Sequence, residues 1–325
     1  MRVLLVKLSS LGDVVHTLPA AMDIRTQCPE AKIDWVVEPA FADLLRSCSA
    51  IDQVIEMDLR RWRKSPWSQA TRQAWSSFRT QLQSHAYDWV IDLQGLTKSA
   101  LVSRLARLTS AGQRVAMAHP TDGSSYELPT RWVADRCISV RRHIHAIERA
   151  REVCAEALGY ALPTHGQLAW SEWMDPLRPK RPEVLCVHGT SRADKLWPEA
   201  SWLSLGKRLL AQGLTPVFVH GNAEELARSE RLAQGLPGSR IAPRWSLSQL
   251  LREMTFTRGV IGVDSGPSHM AVALGLPHVQ IYNFDTAWRT GPLYGSKQIS
   301  VFDAPTPGVD SVWRAWTQVM QGEST

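Results

Sequence analysis

Asp13 is the first residue in the sequence whose type and position suggest chemistry, because it follows an apolar run and the stretch Ser9–Gly12. Aspartate is favoured at helix starts, where its side chain accepts hydrogen bonds from backbone N–H groups that the helix leaves free. A carboxylate at the end of a strand can also act as a general base. The residues leave two interpretations open, a helix cap or a catalytic base.

A second stretch with chemical potential begins at Gly189, where two hydroxyl residues and two cations follow within seven positions. Backbone N–H groups and the hydroxyls of Thr190 and Ser191 suit the oxygens of a phosphate, and Lys195 would add a positive charge. The alternative is a solvated basic loop.

Residues 262–271, GVDSGPSHMA, predict a strand, a turn at Gly266 and a helix with Pro267 in its first position. The free N–H groups at such a helix start attract anions. Asp264 would repel a phosphate, so we expect it to face sugar hydroxyls or backbone. His269 is either a second anion contact or a structural histidine.

Four cations lie within five positions at Arg60, Arg61, Arg63 and Lys64. They form either a solvated charged loop or a clamp for several negative groups. The sequence contains no P-loop, no Gly-x-Gly-x-x-Gly and no Asp-x-Asp motif. It therefore offers no usual holder for a metal ion that bridges a diphosphate, and we expect neither a metal nor a cofactor.

The elements that would position these residues alternate between strand and helix in two series. The first series has predicted strands at Val3–Lys7, Ile33–Val37, Gln53–Glu56 and Tyr87–Leu93, and helices at Val14–Thr26, Ser68–Ser84, Lys98–Leu108 and His143–Leu158. The second has strands at Val184–His188, Thr215–His220, Gly259–Val263 and His278–Tyr282, and helices at Ser201–Ala211, Glu224–Ala233, Leu247–Met254, Pro267–Leu274 and Ser311–Gln321. This alternation predicts two parallel-sheet α/β domains. Ligands of such sheets bind outside the carboxyl ends of the strands, so a cleft between two such domains is the expected site.

The composition agrees with this class. An apolar fraction of 44% supports packed cores, and the five separated cysteines are expected to be reduced. No apolar run is long enough for a membrane span, and the N-terminus lacks a signal-peptide pattern, so we expect a cytoplasmic protein. The net charge of +6 points to anionic partners.

Six stretches carry a family resemblance: VKLSSLGDVVHTLPA at 6–20, IDWVVE at 33–38, RRWRK at 60–64, YDWVIDLQGLTKSA at 87–100, ADKLWP at 193–198 and VDSGPSHMAVALG at 263–275. Through them the chain resembles the bacterial ADP-heptose:lipopolysaccharide heptosyltransferases, glycosyltransferase family nine, over nearly its whole length. It is most similar to the members that add the first heptose to Kdo of the inner core. The resemblance implies a GT-B fold, two Rossmann-like domains facing an interdomain cleft, and an inverting transfer that needs no metal.

The resemblance also implies roles for individual residues. Asp13 matches the general base and Lys195 the lysine at the donor pyrophosphate. The other implied donor contacts are Thr190, Ser191, Glu225 (or its neighbour Glu224), Trp245, Asp264, Ser265, Gly266 and His269. The implied acceptor contacts are Ser10, Arg60, Arg61, Arg63 and Lys64. The segment Asn283–Pro292 departs from the family pattern, and we assign nothing catalytic to it.

The implied domains are an acceptor-binding domain at 1–165, a proline-rich linker at 166–182, a nucleotide-sugar-binding domain at 183–310 and a C-terminal helix at 311–325. The implied partners are ADP-L-glycero-D-manno-heptose, Kdo₂–lipid A and the cytoplasmic face of the inner membrane. Two alternatives remain. One is a related transferase with another acceptor, a core heptose or a protein. The other is a non-catalytic protein that binds a nucleotide sugar or nucleic acid. Asp13 together with Lys195 favours an enzyme, and the sequence shows no recognised nucleic-acid motif.

Overall fold

The computed structural model describes residues 1–175 and 177–321. They form two compact units, Met1–Gln167 and a second unit that begins at Leu168. Each unit is built on a parallel sheet with helices, which confirms the α/β class predicted from the sequence.

The first unit has strands β1 (Arg2–Val6), β2 (Lys32–Val37), β3 (Gln53–Glu56), β4 (Tyr87–Asp92), β5 (Leu108–Met117) and β6 (Arg136–Ile138). Its helices are α1 (Leu11–Gln27), α2 (Pro39–Arg46), α3 (Leu59–Lys64), α4 (Gln69–Leu82), α5 (Thr97–Leu105), α6 (Pro129–Val133) and α7 (Ala146–Leu158). The strands form one sheet in the order β3-β2-β1-β4-β5-β6.

The central strand β1 explains why the chemistry lies where it does. Residues Val3 to Val6 are fully buried, as expected for a parallel strand that is covered on both faces. The apolar run therefore fixes β1 in the middle of the sheet, between β2 and β4. The polar residues that follow Val6 must lie at the carboxyl edge of the sheet.

The second unit repeats this design. Its strands are β7 (Glu183–Val187), β8 (Thr215–Phe218), β9 (Arg240–Ile241), β10 (Gly259–Val263), β11 (His278–Tyr282) and β12 (Gln298–Phe302). Its helices are α8 (Glu199–Ala211), α9 (Ala223–Gly235), α10 (Leu247–Met254), α11 (Gly266–Ala273), α12 (Ala287–Thr290) and α13 (Val309–Gln321). The sheet order is β12-β11-β10-β7-β8-β9, and β7 and β10 are fully buried neighbours.

Three of the differences between the predicted elements and the structure have a clear local reason. The basic stretch treated as a loop forms α3, because Asp58 caps it by accepting a hydrogen bond from the Arg61 N–H at 3.1 Å, and Trp62 is buried. The helix predicted at Lys98–Leu108 ends at Leu105, since β5 begins at Leu108. The helix predicted from His143 begins after His145, whose ring Nδ1 accepts a hydrogen bond from the Ile147 N–H at 3.1 Å.

The predicted linker and C-terminal helix each include residues outside the described range, namely Pro176 and residues 322–325. In the linker range, Trp170 is fully buried, and its backbone N–H lies 3.5 Å from the Ala273 carbonyl oxygen of the second unit. The C-terminal helix begins at Val309.

Candidate active site

Asp13 lies in the first turn of α1, just past the carboxyl end of β1. Ser10 occupies the cap position, and Asp13 is the third helical residue. The Asp13 Oδ2 accepts hydrogen bonds from the Ser10 N–H at 3.1 Å and from the Ser10 Oγ at 2.8 Å. Asp13 is therefore not itself the cap that the sequence suggested, although its carboxylate stabilises the cap residue.

The second carboxylate oxygen of Asp13 faces a cation. Its Oδ1 lies 3.5 Å from the Nζ of Lys7, which is buried and also donates to the Leu93 carbonyl oxygen at 3.0 Å. Burial would raise the pKa of Asp13, but the Lys7 charge and the Ser10 hydrogen bonds outweigh it, so this pKa lies below its usual value. The carboxylate is thus ionised at neutral pH, as a general base must be.

A small cavity of about 10 Å³ lies beside Asp13, with room for about one water molecule. Lys7, His16 and Arg149 contribute polar atoms to its lining, together with apolar groups such as Leu93. Arg149 is held in place because its Nη1 donates to the Thr121 Oγ1 at 2.8 Å. Two cations, Lys7 and Arg149, thus line the same small cavity as the Asp13 carboxylate.

A chain of charged groups connects the basic helix α3 to the loop before Asp13. Lys98 donates from its Nζ to the Ser9 Oγ at 2.7 Å and lies 3.2 Å from Glu38 Oε1. Glu38 is buried, and its Oε2 lies 3.2 Å from the Nε of Arg60. Sequence reasoning missed Lys7, Glu38 and Lys98. Lys7 and Glu38 directly follow the ends of β1 and β2, and this position was the available signal, whereas Lys98 lies in the first turn of α5.

In the second unit, Lys195 and Asp264 meet at the carboxyl edge of the sheet. Lys195 ends a short 3₁₀ turn after β7, and Asp264 follows β10 directly. The Lys195 Nζ lies 2.5 Å from Asp264 Oδ2, and the His269 Nε2 lies 3.3 Å from Asp264 Oδ1. The Thr190 Oγ1 donates to the Asp264 carbonyl oxygen at 3.3 Å. The structure thus brings four predicted donor residues together.

Asp264 is ionised in this cluster. Burial would raise its pKa, but the hydrogen bonds and charges of His269 and Lys195 outweigh it and hold the pKa of the carboxyl well below its usual range. Gly266 and Pro267 are the first two residues of α11, so Pro267 stands one position later than predicted. Ser265 caps this helix, and its buried Oγ has no hydrogen-bond partner among the described residues.

Glu225 lies across the ends of β7 and β8. Its Oε2 accepts a hydrogen bond from the Gly221 N–H at 2.6 Å, and its own N–H donates to Asn222 Oδ1 at 2.9 Å. A Cβ on Gly189 would stand 2.5 Å from the Glu225 Cδ, so the glycine leaves room for this carboxylate. Glu224, the alternative candidate, is exposed, and the geometry favours Glu225.

Asn283, which sequence reasoning left without a role, holds the Lys195 turn in place. Its Nδ2 donates to the carbonyl oxygens of Asp194 at 2.9 Å and Leu196 at 3.0 Å. Its Oδ1 accepts a hydrogen bond from the Thr306 Oγ1 at 2.7 Å. No local motif marks such a residue, because its partners are backbone atoms far away in the sequence.

Two predicted donor residues take no part in the contacts described above. Ser191 is exposed, and Trp245 is partly buried in the segment between β9 and α10.

Within the described ranges there is no group of three His, Cys, Asp or Glu residues placed to hold a metal ion. No helix in these ranges is long and apolar enough to cross a membrane.

Two parallel-sheet units with polar clusters at the carboxyl edges of their strands are the architecture of the GT-B fold. A solved structure titled E. coli heptosyltransferase WaaC with ADP shares this architecture, with a TM-score of 0.88 and 33% identity over 98% of this chain and 100% of that one. E. coli heptosyltransferase II matches with a TM-score of 0.77 and 18% identity, over the full length of both chains, and shows the fold alone.

The sequence comparisons narrow the class to a family. The profile of glycosyltransferase family 9 (heptosyltransferase) matches residues 75–309. Lipopolysaccharide heptosyltransferase 1 of Pseudomonas aeruginosa is 37% identical, over 92% of this chain and 83% of that protein. The Salmonella typhimurium protein of the same name is 38% identical, over 92% of this chain and 93% of its own. The chain therefore belongs to glycosyltransferase family 9 and is a glycosyltransferase, which confirms the resemblance found in the sequence.

Proposed function

We propose that this protein transfers L-glycero-D-manno-heptose from ADP-heptose to a Kdo hydroxyl of Kdo₂–lipid A, in lipopolysaccharide inner-core biosynthesis. The single observation that carries the catalytic part is the ionised Asp13 carboxylate at the end of β1, fixed by Ser10 and Lys7. The donor is supported by the relatives' names and by the WaaC structures with ADP and with ADP-2-deoxy-2-fluoro heptose, the latter 33% identical over the full length of both chains with a TM-score of 0.83.

In the proposed reaction the acceptor hydroxyl gives its proton to the Asp13 carboxylate. The hydroxyl oxygen forms a bond to the anomeric carbon of heptose while the bond from that carbon to the ADP oxygen breaks. ADP leaves with the electron pair from the opposite face, so the configuration at this carbon inverts. A general base in such a step typically contributes about 10²–10⁴-fold to the rate.

The negative charge that develops on departing ADP needs stabilising groups. Lys195, the hydroxyls of Thr190 and Ser191, and the start of α11 at Gly266 can supply them. Lys195 is paired with Asp264 in the structure, so we expect the diphosphate to draw the ammonium away from that carboxylate. Because these groups supply positive charge and hydrogen bonds, we propose that the transfer is metal-independent.

The proposal divides the work between the units. The stretch 1–165 would bind the acceptor through Ser10 and the α3 cations, because Kdo carboxylates and lipid A phosphates suit arginine. The stretch 183–310 would bind the nucleotide sugar through Lys195, Glu225 and Asp264, with the adenine beside Trp245. Because the acceptor is a lipid, we further propose peripheral attachment to the cytoplasmic face of the inner membrane.

The test follows ADP release from ADP-heptose, with and without Kdo₂–lipid A, in the presence of EDTA. We expect release that depends on the acceptor and survives EDTA. Asp13→Asn keeps an oxygen for the Ser10 N–H but loses the charge, so kcat should fall about 10²–10⁴-fold while ADP affinity stays unchanged.

The matched variant Lys195→Ala should weaken ADP binding as well as turnover. If Asp13→Asn kept its kcat and only lowered the melting temperature, Asp13 would be a helix-start residue and not the base. If the protein bound ADP-heptose tightly but released no ADP with Kdo₂–lipid A, ADP-heptose would remain the proposed donor and Kdo₂–lipid A would be rejected as the acceptor.

A further inference from the structure

The segment 59–83, which comprises α3, α4 and their connection, is strongly cationic. It contains Arg60, Arg61, Arg63, Lys64, Arg72 and Arg79 and no acidic residue. All six side chains are exposed. The formal net charge of the whole chain is also +6, so cations and acids balance outside this segment. The charge excess of the protein therefore lies in this segment of the first unit.

An apolar pocket opens within this cationic segment. It has a volume of about 280 Å³ and is lined by Leu59, Trp62, Arg63, Pro66, Thr71, Arg72 and Trp75. The rings of Trp62 and Trp75, both of which line the pocket, pack edge to face with centroids 5.5 Å apart.

Trp67, in the connection between α3 and α4, is 87% exposed. A large aromatic side chain so exposed to water gains free energy when it moves to a less polar environment. Tryptophan is enriched at membrane–water interfaces, where the ring sits at the level of the headgroups. Four cations around it, Arg61, Arg63, Lys64 and Arg72, form no ion pair with a carboxylate in the part of the chain that the structure describes.

We propose that the outer face of segment 59–83 docks on an anionic lipid surface, with Trp67 among the headgroups and the cations against lipid phosphates. This inference rests on the proposed function, whose acceptor is a membrane lipid, and it names the surface that meets the membrane. Charge complementarity favours a lipid bilayer, because each lysine or arginine near such a surface strengthens binding about fivefold.

Arg72 separates this role from acceptor binding. It lies on α4, which contributes no residue to the candidate active site, whereas Arg60 is tied to that site through Glu38. A membrane surface therefore accounts for Arg72 and Arg79, the two cations of the segment that are not proposed acceptor contacts.

The test compares two double variants that each remove one exposed tryptophan and one exposed arginine. Trp67→Ala/Arg72→Gln alters the proposed surface. Trp132→Ala/Arg131→Gln alters α6, which packs near β5 towards the other edge of the sheet, and Trp132 is 75% exposed. Binding is measured by co-sedimentation with phosphatidylcholine vesicles, with and without phosphatidylglycerol, at low and high salt. Activity is measured on a water-soluble, deacylated Kdo acceptor.

We expect the wild-type protein to bind only the anionic vesicles and to dissociate at high salt. The Trp67/Arg72 variant should bind these vesicles at least about fivefold more weakly, and the Trp132/Arg131 variant should match the wild type. Both variants should keep the wild-type kcat on the soluble acceptor.

Three results would overturn the inference. The wild type could bind neutral and anionic vesicles equally well, or both double variants could lose vesicle binding to the same extent. The Trp67/Arg72 variant could also bind vesicles as the wild type does and differ only in a higher KM for the acylated acceptor. In that case the pocket takes an acyl chain of the substrate. Failure of the proposed function is a separate result, because it would appear as no turnover of the soluble acceptor by the wild type.

Discussion

At the scale of single residues, the ion pair between Lys7 and Asp13 sets the protonation of the proposed base. The Lys7 ammonium is buried, and its own pKa is lowered by that burial although Asp13 opposes the shift. The buried Lys7 depends on Asp13 for its charge, because a lone ion is not favoured away from water, and Lys7 in turn lowers the pKa of Asp13. This mutual dependence gives a direct test by pH.

Lys7→Met should move the acidic limb of the pH profile of kcat/KM. In the wild type the pKa of Asp13 lies below its usual value because of the Lys7 charge and the Ser10 hydrogen bonds, so activity should be lost only at a pH below the range in which an ordinary aspartate titrates. Without the Lys7 charge one of the causes that lower the pKa of Asp13 is lost while the effect of burial stays, so the pKa should rise and the limb should shift to higher pH.

Lys98→Met is the control for this experiment, because Lys98 contacts Ser9 and Glu38 and is not paired with Asp13. Its acidic limb should stay at the wild-type position. An unmoved limb in Lys7→Met would mean that Asp13 does not control the profile.

The sequence predicted the residues whose signal is local and missed those whose partners are distant. Asp13 and Lys195 stand at strand ends in recognisable stretches, and the structure places both at carboxyl edges of their sheets. Glu38 and Asn283 act through contacts with residues 60 and 87 positions away in the sequence, respectively. Such contacts depend on strand order, and strand order was not part of the sequence prediction.

At the scale of elements, the loops after β7, β8 and β10 form one site because their strands are neighbours in the sheet. Glu225 fills the space above Gly189, and any side chain there would compete with it. The clash would be with the movable end of a glutamate, so we expect the loop to survive the substitution and the carboxylate to be displaced.

Gly189→Ala should therefore weaken ADP-heptose binding without lowering the melting temperature by much. Its effect on the dissociation constant should resemble that of Glu225→Gln, measured by calorimetry. Gly308→Ala is a matched control in the same unit, because a Cβ there meets no atom within 4 Å. If Gly189→Ala bound ADP-heptose as tightly as the wild type, Glu225 would not be a donor contact.

Asn283→Ala should loosen the turn that carries Lys195. It removes two hydrogen bonds to the carbonyl oxygens of Asp194 and Leu196, each worth about 0.5–1.5 kcal/mol. We expect ADP to bind several-fold more weakly, as measured by equilibrium titration.

Thr306→Val serves as the comparison, since it removes only the contact to the Asn283 Oδ1 and should have a smaller effect. An Asn283→Ala protein that is less stable but has unchanged ADP affinity would contradict the positioning role.

Helices and strands with a strong apolar pattern were predicted well. Leu247–Met254, Gly259–Val263 and His278–Tyr282 have the predicted bounds. The strand β5 was missed because its first half is polar and partly exposed at residues 109–114. The helix α3 was missed because its charges suggested a loop, although a single buried tryptophan and an aspartate cap are enough to fold it.

At the scale of the whole molecule, the proposed chemistry is divided between two units that each have a core of their own. The first core includes Val6, Trp62 and Leu82, and the second includes Trp197, Ile261 and Trp316. The proposed base lies in the first unit, and every proposed donor contact lies in the second. Donor and acceptor should therefore each protect a different unit from hydrogen exchange when they bind.

Hydrogen exchange followed by mass spectrometry can measure this protection in each unit separately. ADP alone should protect the loops around Thr190, Glu225 and Asp264 and leave residues 7–16 at their free rate. At a ligand concentration about 100 times Kd, exchange through openings that release ADP should slow by about 100-fold. A soluble Kdo acceptor should give the reverse pattern, with protection near Asp13 and Arg60. If ADP instead protected residues 7–16 as strongly as the loop around Thr190, the donor would also engage the first unit, and the assignment of donor contacts to the second unit alone would be wrong.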